Sequence, residues 1–94
     1  MPYVLIHHNI ADYKKFRSVF DFDAQRRKRH GSMGGRLLHS SAGPNDLFAL
    51  FEWDDVERAR EFVASYETHE AFEWVGAVEE IHAFVLEDVE DVEF

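Results

Sequence analysis

Six histidines and not one cysteine set the chemistry open to this chain of 94 residues. Without thiols, disulfides, thiolate zinc sites, iron–sulfur clusters and cysteine nucleophiles all fall away, leaving imidazole and carboxylate for metal binding or proton transfer. The spacing of the imidazoles argues against a metal. His7 and His8 are neighbours on a strand-like run and must point to opposite faces of a sheet. His39 and His82 stand alone on other strands, and neither His-x-His nor His-x-x-x-His occurs. A single imidazole, with an ordinary pKa of about 6.5, remains suited to acid–base work. His8, at the end of an apolar strand, is the candidate catalytic group. It could hydrogen-bond or deprotonate a hydroxyl group of a ligand. The plainer reading is a half-exposed, hydrogen-bonded strand-end histidine. Trp53 is the candidate wall for a planar ligand, or else a core aromatic that ends a strand. Phe16, Phe20, Phe62, Tyr66 and Phe72 have the spacing of core residues and are secondary pocket candidates, Tyr66 alone carrying a polar tip.

The elements that must position these groups are readable in order. Residues 3–8 (Tyr-Val-Leu-Ile-His-His) form a β-branched and aromatic run too short for a helix. Over residues 12–29, Tyr13, Phe16, Phe20 and Ala24 recur at helical spacing, with Asp12 in the first turn and Arg26-Arg27-Lys28-Arg29 in the last, which predicts one amphipathic helix. Gly31 and Gly34-Gly35 break it. Residues 36–41 make a second strand, Gly43-Pro44-Asn45-Asp46 reads as a turn, and residues 47–53 complete a hairpin. Asp54 with Glu57 resembles a capping box for a helix whose face is Val56, Ala59, Phe62, Val63 and Tyr66. A shorter helix is expected over residues 68–75 and a last strand over 78–87, followed by an acidic tail at 88–94. The order β-α-β-β-α-β is the ferredoxin-like α+β arrangement, a single domain over residues 1–94 with one antiparallel sheet and its helices on one face.

The other face of that sheet is informative. Leu47, Ala49 and Phe51 share one parity, yet Phe48 and Leu50 on the other are apolar too, and Val4 and Ile6 against Tyr3 and Leu5 repeat this in the first strand. Helices on one side cannot cover both faces, and a soluble monomer seldom exposes more than a few hundred Å² of apolar patch. The expected partner is a second copy of the chain, docked face to face.

Gly34-Gly35 opening the second strand, Phe51-Glu52-Trp53-Asp54 running into Ala59-Arg60-Glu61-Phe62, then Glu70-Ala71-Phe72 and Gly76-Ala77-Val78, together resemble the antibiotic-biosynthesis-monooxygenase group of the dimeric α+β barrel superfamily, over residues 3–87. The resemblance implies a homodimer with an aromatic or quinone-like ligand held between sheet and helices. The implied activities are cofactor-free monooxygenation or polyketide cyclisation, and a non-catalytic ligand-binding or stress-response role on the same fold is the alternative. It matches Trp53 to the tryptophan that ends the third strand in several monooxygenases, and either His8 or Asn9 to the polar residue ending the first. A one-residue change of register decides between the two. Haem-degrading relatives carry a histidine ligand after the second helix. The aligned position falls near Phe72, with His69 a turn earlier, so haem is not expected.

The formal charge of −9 argues against nucleic acid as a partner, and no run approaches the length of a membrane span. With no basic leader ahead of the first strand, the expected location is the cytoplasm. Residues 1–45 carry a balance of +5 and residues 46–94 one of −14, so the two halves should attract. The acidic excess, with Arg outnumbering Lys seven to three, suggests adaptation to salt. The basic run at 26–29 is either a phosphate patch or a helix end offset by carboxylates, with the acidic tail as a candidate partner.

Overall fold

The computed structural model describes residues 1–65 and 81–94. Among the described residues, four strands and three helices run in the order β1 (Pro2–Asn9), α1 (Tyr13–Phe22), α2 (Ala24–His30), β2 (Ser32–Ser40), β3 (Gly43–Trp53), α3 (Val56–Ala64) and β4 (His82–Glu87). The sheet is antiparallel throughout, in the order β2-β3-β1-β4. Its two central strands, β1 and β3, are separated in the chain by α1, α2 and β2, which is the ferredoxin-like topology expected from the element order.

Register assigns the faces. Val4 pairs with Phe51, Ile6 with Ala49 and His8 with Leu47, and all six are buried. Beneath the helices they join Trp53, Ala59 and Phe62 in the core, with Ile10 and Phe16 beside Leu47 at one end. The alternate residues Leu5, His7, Phe48 and Leu50 lie on the face that no described helix covers. There β4 adds Phe84 and Leu86, 49% and 40% exposed, and β2 adds Leu38, 44% exposed. The two-sided apolar pattern thus becomes one packed face and one open face.

Several boundaries differ from those the sequence suggests. The single helix over 12–29 is two helices, turned at Asp23, whose ψ of −1° leaves the helical range. Asp23 holds Arg26 through both carboxylate oxygens at 2.7 Å, and the carbonyl of Phe20 accepts Arg27 Nη1 at 2.8 Å, so side chains stabilise the break. Asp12 caps α1 by accepting from the Lys14 and Lys15 amides. At α3 the cap is Asp55 rather than Asp54. Asp55 accepts from the Arg58 amide at 3.1 Å, while Asp54 pairs with the Arg58 guanidinium. The β2–β3 turn is Ser41-Ala42, and Gly43-Pro44-Asn45-Asp46 belongs to β3, because Gly43 already pairs with Ser40. The predicted helix over 68–75 and the start of the predicted last strand, 78–80, lie outside the described residues.

The expected attraction between the chain's halves is carried by few contacts among the described residues. Arg17–Asp21, Arg26–Asp23, Arg58–Asp54 and Arg60–Glu57 are all local helical pairs. The tail does not reach the basic run. Asp88 takes the Met1 amine at 2.8 Å, and Glu87 lies 3.9 Å from Arg60. Among the described residues no helix is long and apolar enough to cross a membrane.

Candidate active site

Two adjoining hollows lie between the described helices and the sheet. The inner one is a recess of about 40 Å³ lined by Ile6, His8, Phe16, Val19, Phe20, Asp23, Arg27, Ala49, Phe51 and Phe62. The outer one is an open groove of about 690 Å³ between α1, α2 and the edge strand β2. Phe20, Arg27 and Phe51 line both.

His8 reaches the recess by strand parity. Residues 4, 6 and 8 share a face, so the register that buries Val4 and Ile6 also turns His8 toward the helices, and Asn9, opposite Asp46, to the other side. The two alternatives for the polar end of β1 are thereby separated. The His8 side chain is 4% exposed and meets Phe16 edge-on, and its Nδ1 is buried with no hydrogen-bond partner among the described residues. Burial, reinforced by the adjacent His7, pushes its pKa down to about 4, so the ring is neutral at pH 7. A neutral imidazole with a free nitrogen is chemically a proton acceptor or a hydrogen-bond partner for a hydroxyl.

Phe16, Phe20 and Phe62 all line the recess. Phe16 and Phe20 stack at 5.4 Å and Phe20 and Phe51 at 5.9 Å, so a column of rings joins α1 to β3. Trp53 stands outside every described hollow. It is fully buried, 4.7 Å from the ring of Phe62, and its indole N–H donates to the His30 carbonyl at 2.9 Å. It therefore ties α2's end to β3. Tyr66, His69 and Phe72 lie outside the described residues. No cluster of three metal-ligating side chains occurs among the described residues.

Arg27 does not stand out in the sequence as a site residue. It is 9% exposed, with its guanidinium carbon 3.8 Å from the centroid of Phe20 and 5.4 Å from that of Phe51. A signal for it exists, since Phe16, Phe20, Ala24 and Arg27 continue one stripe at intervals of four, four and three.

β2 shapes the far wall of the groove. Its register shifts between Ser32 and Gly35, Gly34 has φ of +104°, and a Cβ on Gly35 would lie 2.0 Å from the Leu50 carbonyl oxygen. Only glycine permits that approach.

No protein-family pattern matches the sequence, and no curated protein does either. Solved structures match closely in three dimensions. SnoaB, a cofactor-independent oxygenase from Streptomyces nogalater, superposes with a TM-score of 0.71 at 17% identity, over 97% of this chain and 94% of its own. An antibiotic biosynthesis monooxygenase gives 0.70 at 10% identity, over 96% and 100%. Rv0793 from Mycobacterium tuberculosis gives 0.65 at 14%, over 99% and 100%. What they share with this chain is the fold. The likeness extends over nearly the whole length of both partners, so it concerns the complete arrangement of sheet and helices. At such identities it assigns no residue a role.

Proposed function

We propose that the protein binds an aromatic or quinone-like small molecule between α1–α2 and the sheet, and oxidises it with dioxygen as a homodimer that needs no bound cofactor. The observation that carries this reading is the buried Nδ1 of His8, without a hydrogen-bond partner among the described residues, beside an aromatic recess. Leaving such a nitrogen unsatisfied costs roughly 1–3 kcal/mol, a cost a purely structural site would be expected to avoid. In the proposed reaction His8 accepts the proton of a phenolic or enolic hydroxyl, and the resulting ring anion passes electrons to dioxygen. For an activated ring methylene the balance is CH2 plus O2 giving C=O plus H2O. The fold shared with an oxygenase described as cofactor-independent supports the reading.

The homodimer part of the proposal rests on the open sheet face. Leu5, Leu50, Phe84 and Leu86 lie there on adjoining strands, and a second copy presenting the same surface would cover them.

A specific observation favours a second reading, a binding module without turnover. No described side chain orients His8 through its other ring nitrogen, whereas catalytic bases usually have such a partner. Oxygen-electrode assays with a panel of hydroxylated naphthalenes and anthracenes test both. Substrate-dependent oxygen uptake that His8→Ala abolishes supports catalysis. Tight binding with no uptake by the wild type would leave the binding module.

A further inference from the structure

The basic run at residues 26–29 separates into distinct roles in the fold. Arg26 is held by Asp23, and Arg29 lends its carbonyl to Arg58 at 2.6 Å. Arg27 turns inward. Its one hydrogen bond among the described residues is to the Phe20 carbonyl, and no carboxylate there bonds it directly: Asp23 and Asp21 favour its charge from nearby but are engaged by Arg26 and Arg17. A guanidinium withdrawn from water with no direct ion pair is costly, the carboxylates of Asp23 and Asp21 acting on it only from a distance, and its fork of donors is shaped to take a carboxylate or a similar oxyanion. The groove it borders is basic as well. Arg17, Lys28 and Arg36 also line it, and no acidic residue among the described ones does, on a chain whose formal charge is −9. A concave wall of one sign raises the local concentration of ligands of the other sign. Its volume of about 690 Å³ suits a small molecule.

We infer that the groove selects planar aromatic anions, with a carboxylate or ionised phenol or enol oxygen of the ligand seated on Arg27 and the ring lying along the apolar wall toward Phe20 and Phe51. This rests on the aromatic-ligand reading above and adds to it the charge of the ligand and the residue that reads it. Arg27 lines both the groove and the recess that holds His8, so an oxygen anchored on it would keep the ring close to the His8 end.

The experiment compares 2-naphthoate with its neutral counterpart 2-naphthamide by calorimetric titration of the whole protein at neutral pH. Wild type should prefer the carboxylate by about tenfold or more, in line with ~1.5–3 kcal/mol for a hydrogen bond to a charged group. Arg27→Gln should remove that preference while keeping the affinity for naphthamide, and Arg27→Lys should retain part of it. Equal affinities in the wild type, or a preference intact in Arg27→Gln, would overturn the inference and leave the aromatic-ligand reading standing. Failure of both probes to bind would overturn both. If Arg27→Gln does not fold, Lys28→Glu on the exposed rim serves instead. It should weaken naphthoate and spare naphthamide, and an unchanged preference there counts against the inference.

Discussion

His8 presents its ring edge-on to Phe16, with centroids 5.1 Å apart and planes at 76°, so an ionisable group sits within the aromatic core. The charged imidazolium is disfavoured there, which is why the pKa falls to about 4. The unfolded chain takes up this proton near pH 6.5 and the folded one near 4, so the unfolded state binds more protons in between. Stability is then fully retained above about pH 6.5 and declines as pH falls toward 4, by about 1.4 kcal/mol per unit and ~3 kcal/mol in all at most. Urea unfolding at pH 4.5 and 7.5 should show this loss in the wild type and a smaller one in His8→Leu. Equal losses in both would remove His8 as the cause.

The same shift sets the acid limb of any turnover. A base with a pKa of about 4 is already deprotonated at pH 6, so kcat/KM for a quinol substrate should not fall between pH 8 and 6 on account of His8, and should fall as pH approaches 4. An acid limb centred near 6.5 would mean that a histidine in ordinary surroundings is the working base.

Phe84 lies on the open face, where its ring is 49% exposed, so a change there touches little of the subunit's own core. Phe84→Glu should leave the melting temperature of the isolated subunit nearly unchanged while placing like charges opposite one another in a face-to-face pair. Light scattering should give twice the 11.0 kDa chain mass for wild type and the single mass for the variant. A wild type that is monomeric at micromolar concentration would refute the face-to-face dimer.

How much of the fold and site is legible in the sequence follows from the periods involved. Strand parity is strict, so the spacing of Val4, Ile6 and His8 alone announces a common face, and the apolar residues of opposite parity announce a second one. The turn at Asp23 is not legible, because residues 12–29 keep helical spacing straight through it. The break depends on a side-chain pair, Asp23–Arg26, and on a carbonyl, that of Phe20, capped from seven residues away. Arg27 is hidden for a related reason. Its stripe position points inward, but its type and its basic neighbours point to solvent, and tertiary packing decides the matter. Trp53 shows the reverse case, an aromatic whose type suggests a ligand wall and whose indole N–H is already committed to His30.

That commitment makes Trp53 a stability residue in this fold. Trp53→Phe would leave the His30 carbonyl without its donor and a void beside Phe62, at a cost of about 2–4 kcal/mol. Thermal denaturation should register this loss, while the affinity for an aromatic probe stays close to wild type because Trp53 lines no described hollow. A large loss of affinity with unchanged stability would return Trp53 to the site.

Gly34 and Gly35 offer a paired test of the groove's outer wall. A Cβ at Gly34 meets open space, but the φ of +104° strains any other residue, by about 1–3 kcal/mol. At Gly35 the added carbon would fall 2.0 Å from Leu50 O and 2.8 Å from Phe51 Cα, and both are backbone atoms that cannot swing aside. Relief there requires β2 to move away from β3, and Phe51 is one of the residues shared by groove and recess. Gly35→Ala should therefore lower both stability and affinity for an aromatic probe, and Gly34→Ala chiefly stability, as read by thermal denaturation alongside calorimetric titration. If the two variants behave alike in both measurements, the close contact between Gly35 and Leu50 is not what holds the wall in place.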